Sequence, residues 1–239
     1  MTANMAVSWL IARYFAELSN GVVAFISYSS SALLTTIYTF AISRVTHISV
    51  PSLKIEIRKL NPRLIVAGFV LILAINIVIS PLEEFIPDVY LDVLDKYMNY
   101  GFWAMLVAVA VAPIFEEFLF RGVIQTNLIA HFGVIKGIIF GAVIFGAMHI
   151  VPQQALNAAG VGLILGSIYY LTGSLNTVIA IHFINNGFTY LLFMLFSDTN
   201  QLEEYLFENT TIHIIAYATS LILLILAGGR VIYKVKSEK

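Results

Sequence analysis

The sequence predicts an all-α, polytopic transmembrane helical bundle with seven or eight spans, and three observations predict it. The 239 residues are 59% hydrophobic and only 11% charged, whereas a soluble domain carries roughly a quarter charged residues. The apolar residues gather in runs close to the ~20 residues that cross a hydrocarbon core. Most charged residues fall in the connections between those runs.

Taken in order, the runs 21–43, 63–80, 100–120, 134–150, 175–196 and 211–233 are clear spans. The run 156–172 is shorter, but its place between two strong spans predicts that it crosses too. The segment 5–18, interrupted by Arg13 and Glu17, is either an eighth short span or an interfacial helix. The chain therefore divides into N-terminal helices and loops over 1–99, a core over 100–196, and an outer loop, last span and basic tail over 197–239.

Charge placement orients the bundle. The 44–63 connection carries Arg44, Lys54, Arg58, Lys59 and Arg63 against Glu56, and the tail carries Arg230, Lys234, Lys236 and Lys239. Short basic segments stay in the cytoplasm. The 81–99 connection holds Glu83, Glu84, Asp88, Asp92 and Asp95, and the 197–210 connection holds Asp198, Glu203, Glu204 and Glu208. Seven spans put both acidic loops outside and both basic segments inside, so the count and the charges agree.

The remaining bulk properties exclude more than they identify. Without cysteine there is no disulfide, thiolate catalysis or cysteine-ligated zinc. The net charge of −1 gives no sign of a nucleic-acid partner. The first apolar run lacks a basic lead and a small-residue cleavage pattern, so no removed signal peptide is expected. No internal repeat is evident.

Against this background Glu116, Glu117 and Arg121 stand out, because they lie within an apolar run. A charge near the bilayer centre costs at least about 2.5 kcal/mol and normally faces the bundle interior. Glu117 and Arg121, four apart, share a helical face and form an expected pair. Glu116 points elsewhere and is left for other work. A lone Glu–Arg pair would read equally well as a structural feature; a second carboxylate that the arginine does not neutralise favours function, since adjacent like charges resist joint ionisation.

Two histidines join this set. His47 and His131 sit in connections and His213 begins the last span, whereas His149 and His182 lie within apolar runs. Asn186 shares a helical face with His182, and Asn185 is its polar neighbour. Glu116 precedes a turn at Gly133 by 17 residues and His149 follows it by 16, which places them at equal depth in a hairpin. His182 reaches that level if the hairpin protrudes about two turns into the cytoplasm. Gly133, Gly137 and Gly141, and likewise Gly162 and Gly166, have the spacing that lets helices approach closely. Pro113, one turn before Glu116, predicts a kink.

Glu116-Glu117-Phe-Leu-Phe-Arg121 resembles the EExxxR signature of the CAAX-protease and bacteriocin-processing (CPBP, or Abi) family of intramembrane endopeptidases. Phe145-Gly-Ala-Met-His149 is similar to its FxxxH motif, and His182-Phe-Ile-Asn-Asn186 to its HxxxN motif. The resemblance covers about 100–196, with the motifs in the family's order on three separate spans. It implies cleavage of a peptide bond, from the cytoplasmic side, in a prenylated CAAX protein or a bacteriocin or signalling-peptide precursor. The compact size is similar to bacterial members, so a multi-pass protein of a bacterial cell membrane is expected. The implied partners are membrane lipid, the peptide or lipidated protein substrate, and a membrane signalling partner.

Carried over, the catalytic set is Glu116, His149, His182 and Asn186, supported by Glu117 and Arg121. Glu116 would act as general base on water. His149 would hold that water or pass the proton on, and His182 and Asn186 would donate to the oxyanion. Two histidines and a glutamate also make a zinc set, namely His149, His182 and Glu116, and the sequence leaves metal and metal-free routes open. Two other readings compete: a non-catalytic membrane regulator or immunity protein of the same fold, and a proton-coupled transporter, which the lack of repeated halves disfavours.

Overall fold

Seven apolar helices make up most of the described chain. The computed structural model describes residues 18–46, 48–51, 60–83, 85–86, 98–149, 151–195 and 210–238, with Trp9, Arg13 and Lys96. The 5–18 segment, His47 and most of the loop charges used for orientation lie outside the described residues. The helices are α1 (Asn20–Thr46), α2 (Pro62–Glu83), α3 (Phe102–Phe132), α4 (Val134–Ala147), α5 (Pro152–Thr172), α6 (Leu175–Leu195) and α7 (Thr210–Ser237). Among the described residues, six are long and apolar enough to cross a membrane and α4 is a shorter apolar helix.

Local chemistry sets the helix ends. The Asn61 side chain accepts the Arg63 amide at 3.1 Å, and Pro62 follows it at the first helical position, where a missing N–H costs nothing. Gly133 (φ 81°) turns α3 into α4, and Gly173 (φ 64°) ends α5 in the left-handed conformation that glycine adopts without strain.

Three expected spans differ from what forms: the 100–120 run continues to Phe132 in α3, and the next two change length. The 134–150 run yields a helix of 14 residues, roughly 21 Å long, whereas the run expected to be short yields the 21 residues of α5. Pro152 fixes the start of α5, since it disfavours helix at the residue before it. Val151 is extended (φ −81°, ψ 121°) and α5 starts at the proline. His149 therefore lies in the break after α4 rather than inside a span.

The core forms where α2, α5 and α6 meet, with Ile72, Val161, Ile164, Leu165, Ile168, Val178 and Ile181 buried together. Around it α7 packs on α2, α4 packs on α5, and α3 lies against α1, α4 and α6. Outward faces are apolar too: Ile37, Val66, Val143 and Leu226 are exposed, as expected of a surface solvated by lipid. The chain ends of α3, α5 and α7 gather on one side, where Gly133, Tyr170 and Glu238 line one surface pocket. Lys234 also donates to the carbonyls of Tyr170 and Leu171 there. Ser49 exchanges two hydrogen bonds with Asn127 near that end of α3.

The expected close approach at the glycines is realised at Gly137, where a Cβ would lie 2.6 Å from the Ile129 backbone nitrogen. Backbone yields little, so Gly137→Ala is expected to cost about 1–3 kcal/mol and to lower the unfolding temperature in detergent. Gly228→Ala, with open space around it, is the neutral control.

Candidate active site

Helix α3 is not a regular α-helix. It widens to π-type turns over Val107–Val111 and again over Phe118–Gln125, on either side of the two glutamates. The Ala112 amide bonds back to the Val107 carbonyl, five residues earlier. In that register the Ala108 carbonyl would next receive residue 113, which is proline and has no N–H. Asn186 on α6 fills the vacancy, donating its Nδ2 to the Ala108 oxygen at 2.9 Å. The second wide segment is served in the same way. Thr126 Oγ1 donates to the Arg121 carbonyl at 3.0 Å, and Asn127 Nδ2 donates to Val123 at 2.7 Å. The kink expected at Pro113 is thus a change of helical pitch, a feature common at functional sites.

Between the wide turns the two glutamates diverge. Glu117 is fully buried, and its Oε2 lies 3.0 Å from Arg121 Nε, the pair expected from the four-residue spacing. Its other oxygen, Oε1, meets His182 Nδ1 at 2.7 Å. That second bond was not foreseen. The guanidinium, itself 2% exposed, lies over the Phe145 ring at 4.4 Å. Buried Gln125 donates Nε2 to the Gly166 carbonyl at 2.9 Å, fastening α3 to α5.

Glu116 retains partial exposure, 21% of its side chain. Its Oε2 stands 4.0 Å from His182 Nε2, and its Oε1 accepts the Tyr28 hydroxyl of α1 at 2.8 Å. Tyr28 was missed because a single tyrosine in a serine-rich apolar run carries no signal of its own. His149 joins through Phe145: its Nδ1 bonds the Phe145 carbonyl at 3.0 Å. Both His149 and His182 stand edge-on to the Phe145 ring, with centroids 5.2 and 5.9 Å away.

The tautomers follow from the partners. An ionised carboxylate and a carbonyl can only accept, so the Nδ1 atoms of both His182 and His149 carry protons. A neutral ring protonated at Nδ1 has Nε2 as an acceptor. Asn186 has its amide nitrogen on Ala108, and its oxygen accepts Asn185 Nδ2 at 3.2 Å.

This constellation falls inside a recognisable segment. Residues 98–188 match the family model described as type II CAAX prenyl endopeptidase Rce1-like. Over those residues the chain is similar to that family. The match agrees with the three motifs and supports a CAAX-type intramembrane endopeptidase, hence a protease, in general terms. Together with the apolar helices it indicates an integral, multi-pass membrane protein. No curated protein and no solved structure matches the chain. Tyr28 lies outside the matched residues.

Among the described residues no three His, Asp or Glu side chains are grouped closely enough to hold a metal ion.

Two outcomes separate structural from chemical roles. Glu117→Gln leaves Arg121 buried without its anion and is expected to cost about 3–5 kcal/mol, whereas Glu116→Gln is expected to leave thermal unfolding within a degree or two of wild type. Asn186→Ala orphans the Ala108 carbonyl, with an expected cost of about 1–3 kcal/mol, read by the same unfolding assay.

Proposed function

We propose that this protein is an intramembrane endopeptidase that hydrolyses a peptide bond in a membrane-associated substrate, with water activated by Glu116. The substrate class is a CAAX-type prenylated protein or a peptide precursor reached from the cytoplasmic face. The observation that carries the reading is the chain Arg121–Glu117–His182–Glu116, in which a buried ion pair aims a histidine at a second carboxylate. The 4.0 Å between His182 Nε2 and Glu116 Oε2 is too long for a direct hydrogen bond and suits a shared water.

Both atoms accept, so a water between them donates both of its protons and turns its lone pairs outward. Attack on the substrate carbonyl carbon forms the C–O bond while one water proton passes to Glu116. Collapse of the tetrahedral intermediate breaks the C–N bond, and the leaving nitrogen takes a proton. His149, with Nδ1 tied down, has Nε2 left to relay it. In this scheme His182 holds water rather than the oxyanion, because Glu117 fixes its tautomer. Asn186 preserves the widened helix, and a direct oxyanion role would require it to leave Ala108. No step uses a metal. The reading puts the basic C-terminus in the cytoplasm of a bacterial cell, on the side where the ends of α3, α5 and α7 gather.

The test is cleavage by the purified, lipid-reconstituted protein of prenylated CAAX peptides and of unprenylated precursor peptides, read by mass. Glu116→Gln and His182→Asn are each expected to reduce the rate at least ~100-fold, and His149→Ala to reduce it less. Wild-type rates in Glu116→Gln would overturn the assignment and favour a non-catalytic regulator. A chelator-induced loss restored by zinc would overturn the metal-free route.

A further inference from the structure

The hydroxyl of Tyr28 is the one protein donor on Glu116 among the contacts described above, and it comes from a helix outside the matched segment. Helix α1 is bound to α3 along its length. Gly21 lies against the Tyr100 carbonyl, Phe25 packs beside Trp103 at 5.1 Å, and Phe40 stacks on Phe118 at 5.7 Å. Past the end of α1, Ser49 pairs with Asn127 and Pro51 packs on Gly122. The pairs Phe25–Trp103, Phe40–Phe118 and Ser49–Asn127 share one sequence offset, so α1 runs parallel to α3 and cannot slide independently of it. Tyr28 is held between the first and second of those pairs.

A carboxylate on a flexible side chain can rotate either oxygen toward a neighbour. The Tyr28 bond to Oε1 removes that freedom and leaves Oε2 toward His182 Nε2. Glu117 does the same for the imidazole from the opposite side. The two acceptors proposed to hold the water are thus each fixed by a separate donor or acceptor on a different helix.

On this basis we infer that Tyr28 is a positioning residue for the catalytic base, which makes α1 part of the active site. This rests on the hydrolytic reading of Glu116. The experiment compares wild type, Tyr28→Phe, Glu116→Asp and the double variant, with rates normalised to folded protein. Tyr28→Phe keeps the ring and loses only the hydroxyl. It is expected to lower kcat roughly 10- to 100-fold, as misplacement of a reacting group does, with KM within about twofold and thermal unfolding unchanged. Glu116→Asp draws the carboxylate out of reach of the hydroxyl, so adding Tyr28→Phe to it is expected to cost little more.

A second readout is independent of turnover. The carboxylate infrared band assigned to Glu116 by difference against Glu116→Gln is expected to move in Tyr28→Phe. An unmoved band, an unchanged kcat, or a full additional loss in the double variant would each overturn the inference. A moved band in a wild-type protein that cleaves nothing would support the hydrogen bond while sinking the hydrolytic reading.

Discussion

An arginine with 2% exposure inside a membrane-spanning helix must find an anion within the protein, and Glu117, one helical turn away, provides it. A carboxylate has two oxygens, and the second is what links stability to chemistry here. With Oε2 given to Arg121, Oε1 is directed at His182 Nδ1. The ring is thereby locked in orientation and tautomer, as a second-layer carboxylate does in hydrolytic triads. Phe145 supports the whole group, carrying the guanidinium on its face and both histidine rings at its edges. Loss of the ion pair would therefore disturb fold and site together.

The helix that bears the glutamates departs from regular geometry on both sides of them. Such departures liberate carbonyls that lipid cannot solvate, and each liberated group named above has a side-chain donor. Asn186 serves Ala108 and Thr126 serves Arg121. The wide turns rotate successive side chains differently from an α-helix. Glu116 and Glu117 lie on the regular stretch between them, where adjacent side chains point about 100° apart, and so meet different partners, Tyr28 on one side and Arg121 with His182 on the other. One pair of neighbouring acids acquires two environments, a fully buried one and a partly open one.

Much of the plan was legible in the residues themselves. Apolar runs located all seven helices, with the bounds of α3, α4 and α5 displaced, because a bilayer imposes length and composition on any segment that crosses it. The Glu117–Arg121 pair follows from a four-residue spacing within a single helix. Placing Glu116 near His182 required an assumption about hairpin depth, because the two lie on different helices. The break between α4 and α5 was misplaced because hydropathy does not register the backbone restriction that Pro152 places on Val151.

What the sequence alone determined is therefore the membrane class, the order of the spans and the identity of the polar groups. These depend on composition and on contacts within one helix. The tertiary structure decided who meets whom across helices: Glu117 with His182, Tyr28 with Glu116, and Asn186 with a carbonyl freed two helices away. Such pairings join residues 65 to 88 positions apart. No local rule of spacing encodes them, because they arise only when packing brings separate helix faces to one depth.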